Sequence, residues 1–399
     1  MYKLPVYKKI KQRIEEPRRF IQVIMGPRQV GKSTVVKQVL KDISIPYKFY
    51  AADDVPDYNS YWIVQCWESV RLLAEHSDSE YILVIDEIQK IKNWSETVKK
   101  LWDEDSFYDR NIKVILLGSS RILLQKGLSE SLAGRFEEIR MAQWSFNEVH
   151  DCFGISLKEY LFYGGYPGAI PFIEDSGRFD DYITSAIVES TMNRDILNDV
   201  QINKPALLRQ TFELACAYSG NILSYTKMIG QLQDAGNTTT LSQYLHLLQE
   251  SCLVTGLQKY SCDKARIKGS IPKFQVYDNS FKEIYSSFSF EEAVLKPEIW
   301  GNIFESAIGA YLVQQAFLNR FEVYYWRERN LEVDFILKKK DKIVALEIKS
   351  NKVNKSKGLE EFKKRFNPHK AIIIGEGGMS AKEFFSISIL SLFKFLQAV

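Results

Sequence analysis

Cysteine is scarce and unpatterned in this sequence. The five copies (Cys66, Cys152, Cys216, Cys252, Cys262) are odd in number and include no C-x-x-C pair, which argues against a disulfide framework and a zinc knuckle. Long hydrophobic runs are also missing. The most apolar tail, Phe384 to Phe395, is interrupted by serines and Lys394, short of the ~20 apolar residues a membrane span requires. No membrane partner is expected. The basic start, MYKLPVYKKIKQRIEEPRRF, leads into no secretory-type apolar region and cleavage site, so a reducing cytoplasm is the expected compartment. Low-complexity stretches and repeats of 20–50 residues are absent outside one lysine-rich segment. What remains is ordinary globular composition: 45% hydrophobic, 13% aromatic and 26% charged residues, enough to bury a sizeable core. At about 150 residues per domain, 399 residues predict two or three folded units.

Charge of one sign is nearly balanced overall, at +3, but unevenly placed. Lys338 to Lys370 holds twelve Lys/Arg against four Asp/Glu, so this stretch is +8 and the rest of the chain −5. A local excess of this kind suits a nucleic-acid backbone, whose counterions are released as phosphates are neutralised; a solvated lysine-rich surface explains it equally well.

Five short apolar runs punctuate the first 150 residues: Phe20 to Met25, Tyr47 to Ala51, Tyr81 to Asp86, Lys113 to Gly118 and Glu138 to Ala142. Continuous runs separated by helix-length segments predict strands of a largely parallel sheet buried on both faces. Residues 151–214 are expected to form a helical connector, broken by the turn Gly164-Gly165-Tyr166-Pro167. Residues 215–290 read as two short helices around Gly236-Asn237 followed by the strand-like Leu253 to Leu257, a spacing that suits a winged helix. Residues 291–399 alternate again: a helix from Asn302 to Leu318, strands at 322–326, 333–337 and 343–348, a helix at 359–366 and a strand at 371–374.

The run Gly26-Pro27-Arg28-Gln29-Val30-Gly31-Lys32-Ser33, followed by Thr34, satisfies G-x-x-x-x-G-K-[ST] between an apolar strand and a helical run. In such a loop the backbone N–H groups face phosphate oxygens, Lys32 adds charge at the β/γ position, and Ser33 offers a hydroxyl to Mg²⁺ at a helix N-terminus. ATP or ADP and Mg²⁺ are the expected ligands. Tyr81-Ile-Leu-Val-Ile-Asp86-Glu87 ends an apolar run in adjacent carboxylates: Asp86 is placed to hold Mg²⁺, and Glu87 to orient the attacking water. On the next strand end, Ser119 or Ser120 would sense the γ-phosphate, or else cap the helix expected near Arg121. Arg135 would supply transition-state charge within its own chain or to a neighbouring copy in a homo-oligomer.

These motifs, GPRQVGKST, VIDEIQKIKNW, LLGSSRILL and SLAGRFEEIRMAQWSFNE, resemble the AAA-type P-loop ATPases of the AAA_14 and DUF4143 pair. The resemblance implies an α/β P-loop NTPase with an AAA-like, five-stranded parallel sheet in residues 1–150, with Asp86 on metal, Glu87 catalytic and Ser119 or Ser120 as sensor. Gly164 to Pro167 and Arg194-Asp195 look like further marks of the same family.

Near the end of the chain, Glu305 lies on the expected helix, Asp334 on one strand, and Glu347 and Lys349 on the same face of another by period-2 alternation. Asp334 and Glu347 are expected to share a metal ion, Glu305 to complete the site, and Lys349 to hold or activate water against a phosphodiester. The spacing resembles the PD-(D/E)xK nuclease fold, which implies a C-terminal α/β nuclease-like domain; the pattern also arises by chance in strand hairpins. Tyr325 and Trp326 would stack on bases or, more simply, fill the core. Two functions follow as alternatives: an ATPase coupling nucleotide turnover to DNA binding or processing, and a nucleotide switch whose C-terminal domain docks a partner without cleaving anything.

Overall fold

The computed structural model describes residues 2–394 apart from 54, 56–58, 78, 120–127, 129–130, 198–201, 233–236, 264–266, 268 and 351–355. The chain divides into two compact units, 1–142 and 143–399.

In the first unit the apolar runs form β1 (Ile21–Met25), β2 (Tyr47–Ala51), β3 (Tyr81–Asp86), β4 (Ile112–Gly118) and β5 (Phe136–Arg140). All neighbours pair in parallel, in the order β2-β3-β4-β1-β5. The three central strands, β1, β3 and β4, are almost wholly buried and carry the longest Val/Ile/Leu runs, whereas β2 lies at the edge and is half exposed. That gradient is what a sheet covered by helices on both faces demands of its sequence. β5 begins at Phe136, two residues earlier than its sequence suggests. The shift follows from pairing: Ile21 N–H donates to the Arg135 carbonyl at 2.8 Å, and Phe136 stands opposite Ile21. Because β4 separates β1 from β3, Met25 stands level with Gly118, and Ile85 with Leu116, two residues before it. The carboxyl ends of three strands therefore converge on one edge.

In the second unit, β6 (Val254–Lys259), β7 (Lys273–Val276), β8 (Glu322–Glu328), β9 (Leu331–Lys339), β10 (Lys342–Lys349) and β11 (Lys370–Gly375) make one mixed sheet, ordered β11-β10-β9-β8-β6-β7. β8, β9 and β10 are joined by tight hairpins whose corner residues Arg329 and Lys340 have φ of 53° and 57°. β6 pairs in parallel with β8 through Gln258 and Lys259, so strands on either side of residue 290 share a single sheet. The helix Pro297–Asn319 packs its apolar length on this sheet, and Tyr325 and Trp326 are buried in the core, Trp326 edge-on to Phe362.

The connector is helical as expected, with capping boxes Ser145/Glu148 and Ser156/Glu159 starting helices Phe146–Phe153 and Leu157–Tyr163. Helices Tyr225–Ile229 and Thr238–Glu250 follow, the second capped by Asn237, whose side chain accepts from Thr240 N–H at 2.9 Å; Gly236 lies outside the described residues. The Gly164-Gly165 turn has a packing role. Gly164 has φ of 79°, and a Cβ there would sit 1.8 Å from Asp278 Oδ1. The buried Asp278 carboxylate accepts from the N–H groups of Gly165 (2.8 Å) and Ser280 (3.1 Å), tying the turn to the end of β7. Of the second mark, Asp195 is buried and Arg194 exposed on the helical segment Met192–Leu197.

Candidate nucleotide site and a second charged cluster

The loop 26–31 joins β1 to the helix α1 (Lys32–Lys41). Gly26 packs directly on the chain leaving β5: an added Cβ would meet the Met141 carbonyl oxygen at 2.2 Å, so only glycine keeps the loop this close to the sheet. Gln29 and Gly31 have positive φ, 60° and 91°. Val30 is buried, Arg28 half-buried, and Gln29 and Thr34 exposed. Lys32 is buried and curls back over the loop, its Nζ donating to the carbonyls of Gly26 (2.9 Å) and Pro27 (2.7 Å). These two carbonyls hold the ammonium over the phosphate loop.

Ser33 Oγ donates to Asp86 Oδ2 at 2.6 Å, joining the first turn of α1 to the end of β3. Asp86 is buried, and burial pushes its carboxyl up from the ordinary range, against the Ser33 hydrogen bond that favours ionisation. A hydroxyl and a poorly solvated carboxylate at contact distance form a hard-oxygen donor set that suits Mg²⁺. Glu87 adopts the left-handed region (φ 53°, ψ 37°), uncommon for a residue with a side chain. Its Oε2 accepts from Ser119 Oγ at 3.2 Å and from Gln89 Nε2 at 2.6 Å, and Gln89 Nε2 also reaches Ser119 Oγ at 3.4 Å. Ser119 is thus brought to Glu87 from the end of the neighbouring β4. Ser120 lies outside the described residues. Gln89, on the short helical turn Ile88–Lys90, is a member that the sequence did not flag: an uncharged amide matches no motif, and its only signal is the tight turn after two acids.

Arg135 is not brought to this edge. It precedes β5, at the opposite end of the parallel sheet from the phosphate loop, and its guanidinium grips Asp103 through both carboxylate oxygens, at 2.6 and 2.9 Å.

In the second unit Glu305, Asp334, Glu347 and Lys349 do gather, together with a residue that the sequence reading passed over. Lys273 on β7 is wholly buried, with Nζ 2.6 Å from Glu305 Oε1, 3.7 Å from Glu332 Oε1 and 3.9 Å from Asp334 Oδ1. Glu347 Oε1 pairs with Lys349 Nζ at 2.7 Å, and Asp334 Oδ2 accepts from Ile348 N–H at 2.7 Å. Burial, reinforced by Glu305 and Glu347, drives the Asp334 carboxyl well above its usual range. These acids do not fit the expected metal pair, for an ammonium already stands among them; among the described residues no group of three or more His, Cys, Asp or Glu is arranged to hold a metal ion. Nor does the basic stretch line this cluster as a whole: Lys339, Lys342 and Lys370 donate to the carbonyls of Asn319, Phe393 and Ser391.

No helix among the described residues is long and apolar enough to cross a membrane. Residues 18–150 match AAA_14, described as an AAA domain; residues 155–288 match the domain of unknown function DUF8612, and residues 300–392 the domain of unknown function DUF4143. The chain is similar to an uncharacterized protein of Haemophilus influenzae, at 24% identity over 83% of this chain and 84% of that one. A second relative, an uncharacterized protein of Methanocaldococcus jannaschii, is 22% identical over 86% of this chain and 78% of its own. Among solved structures it is similar to a Walker-type ATPase of Pyrococcus abyssi (12% identity, 70% of this chain and 94% of that one, TM-score 0.45). AMPPCP-bound DnaA from Aquifex aeolicus matches with 14% identity, 61% and 87% coverage and a TM-score of 0.32. RuvB from Thermotoga maritima matches with 14% identity, 63% and 86% coverage and a TM-score of 0.32. The loop, the acid pair and the five-stranded parallel sheet all lie within residues 18–150, the segment that matches the AAA domain.

Proposed function

We propose that this protein is a Mg²⁺-dependent ATPase whose second unit docks a partner according to nucleotide state. The observation that carries the reading is the contact of Ser33 with Asp86 beside the Glu87–Gln89–Ser119 triangle. The loop amides and Lys32 hold the triphosphate. Ser33 and Asp86 would hold Mg²⁺, which would supply neutralisation of the phosphate charge. Glu87 orients the attacking water and accepts its proton. Gln89 and Ser119 fix the carboxylate of Glu87 so that little reorganisation is needed at the moment of reaction. Calorimetry with ATP and with ADP in the presence of Mg²⁺ tests this: binding is expected in the native protein and lost in Lys32→Ala. Uptake of neither nucleotide by the native protein sinks the reading.

For the second unit, docking is favoured over DNA processing because its acids are paired with internal ammoniums and several of its basic side chains cap carbonyls. A gel shift of duplex DNA that strengthens with ATP and weakens steeply with salt would restore DNA as the partner.

A further inference from the structure

The acids of the second unit surround a cation that the chain itself supplies. Lys273 enters from β7, with no exposed surface, and places Nζ nearest Glu305 on the helix Pro297–Asn319, with Glu332 and Asp334 of β9 within 4 Å. The same ammonium donates to the Asp334 carbonyl at 3.3 Å and lies 4.9 Å from the centre of the Phe335 ring. A buried lysine without partners sheds its proton. Here three carboxylates stand within 4 Å of Nζ, and Glu305, at 2.6 Å, holds it as a paired ammonium. A divalent ion needs several oxygens at close to 2.1 Å, held open for it. The oxygens available are instead drawn to Nζ of Lys273, to Nζ of Lys349 and to the N–H of Ile348.

We infer that Lys273 is a resident cation standing in place of a divalent metal, which makes this nuclease-like cluster metal-independent and leaves it a latent metal site. One oxygen keeps a trace of that latent capacity: Glu347 is 5% exposed, and its Oε2 has no hydrogen-bond partner among the described residues. With Lys273 removed, Glu305, Glu332, Asp334 and Glu347 would keep, among the described residues, the ammonium of Lys349 beside Glu347 and the guanidinium of Arg327 3.8 Å from Glu332, and a divalent cation becomes the simplest way to neutralise the rest. The nucleotide site has no part in this, so the two stand or fall separately.

Mn²⁺ titrated into nucleotide-free, full-length protein carrying Asp86→Asn, followed by the electron paramagnetic resonance of free Mn²⁺, isolates the second unit. With Lys273 present, no ion is expected to bind. Changing Lys273→Ala in the same background is expected to create one Mn²⁺ site and a melting temperature that rises with Mn²⁺, both abolished by adding Asp334→Asn. Mn²⁺ binding to the protein with native Lys273 that Asp334→Asn removes would overturn the inference, as would plasmid nicking in Mg²⁺ or Mn²⁺ that is lost in Asp334→Ala. A well-folded Lys273→Ala protein that binds no Mn²⁺ would also overturn it. The first arm requires no change at position 273, so a variant that fails to fold leaves it intact.

Discussion

Two buried lysines, Lys32 and Lys273, sit in the two units under opposite terms. Lys32 donates to the backbone carbonyls of Gly26 and Pro27, which hold its ammonium over the phosphate loop. Lys273 is held against carboxylates, which cancel it, and so its cluster has little use for an outside ion. The acids differ in the same way. Asp86 meets a hydroxyl and Glu87 an amide and a hydroxyl, neutral donors that set their positions, whereas Glu305 and Glu347 meet ammoniums that neutralise them. Similar residue types thus make a site poised for a ligand in one place and a closed ionic core in the other. The partner atoms, more than the residue types, decide between them.

The contrast can be broken at its strongest point by Glu87→Gln. ATP binding should persist while turnover falls about 10²- to 10⁴-fold, and a steady-state phosphate-release assay showing unchanged turnover would remove Glu87 from the mechanism. In the second unit, order rests on packing rather than on a ligand. Gly164→Ala drives a methyl into the Asp278 carboxylate at a left-handed position. It should destabilise that unit by roughly 2–4 kcal/mol, read in chemical denaturation, while nucleotide affinity stays native.

Gln89→Ala sharpens the first-unit side of the comparison. Loss of the amide that fixes Glu87 should lower turnover by about 10- to 100-fold, as is common for groups that orient reacting side chains. An unchanged nucleotide Kd would separate positioning from binding.

A further difference lies in pH response. Burial and the facing Asp180 push Glu283 up from its ordinary value near 4.5 to about 8. The folded chain holds that proton more tightly than the unfolded one, so the associated stability is complete below about pH 4.5 and is lost as pH rises to about 8. After allowance for partial exposure, Glu283→Gln should be the more stable form at pH 8 by roughly 1–2 kcal/mol. Parallel melting curves of the two proteins across that range would show it, and equal slopes would reject it.

The smallest effect is expected at Arg135. Its half-exposed pair with Asp103 should contribute less than about 1 kcal/mol. Standing at the far end of β1, it should leave the turnover of dilute, monomeric protein unaltered when changed to Ala. A fall in turnover that emerges only as protein concentration rises would assign it to a neighbouring copy.

Much of this was readable from the chain. Four of the five first-unit strands begin within one residue of their apolar runs; for β1, β3 and β4 this is because a strand buried on both faces writes its limits as an uninterrupted hydrophobic stretch. β5 was displaced because Glu137 and Glu138 interrupt its apolar residues, and pairing with Ile21 set its start. The sequence put the phosphate loop, Asp86, Glu87 and Ser119 at strand ends, and the parallel sheet brings Ser33 to Asp86 and Ser119 to Glu87. Gln89 escaped notice because an amide gains meaning only from what it touches. Lys273 escaped because its partners are at 305, 332 and 334, on other elements, with no spacing rule connecting them.

What the sequence determined alone was local: where backbone hydrogen bonds close into strands and helices, and where a loop can wrap an anion, since glycine placement and hydrophobic periodicity act over a few residues. What the tertiary structure decided was the charge state of each cluster. Electrostatic partners meet across elements far apart in the chain, and in a low-dielectric interior a few ångströms settle whether a lysine serves a phosphate or silences a carboxylate.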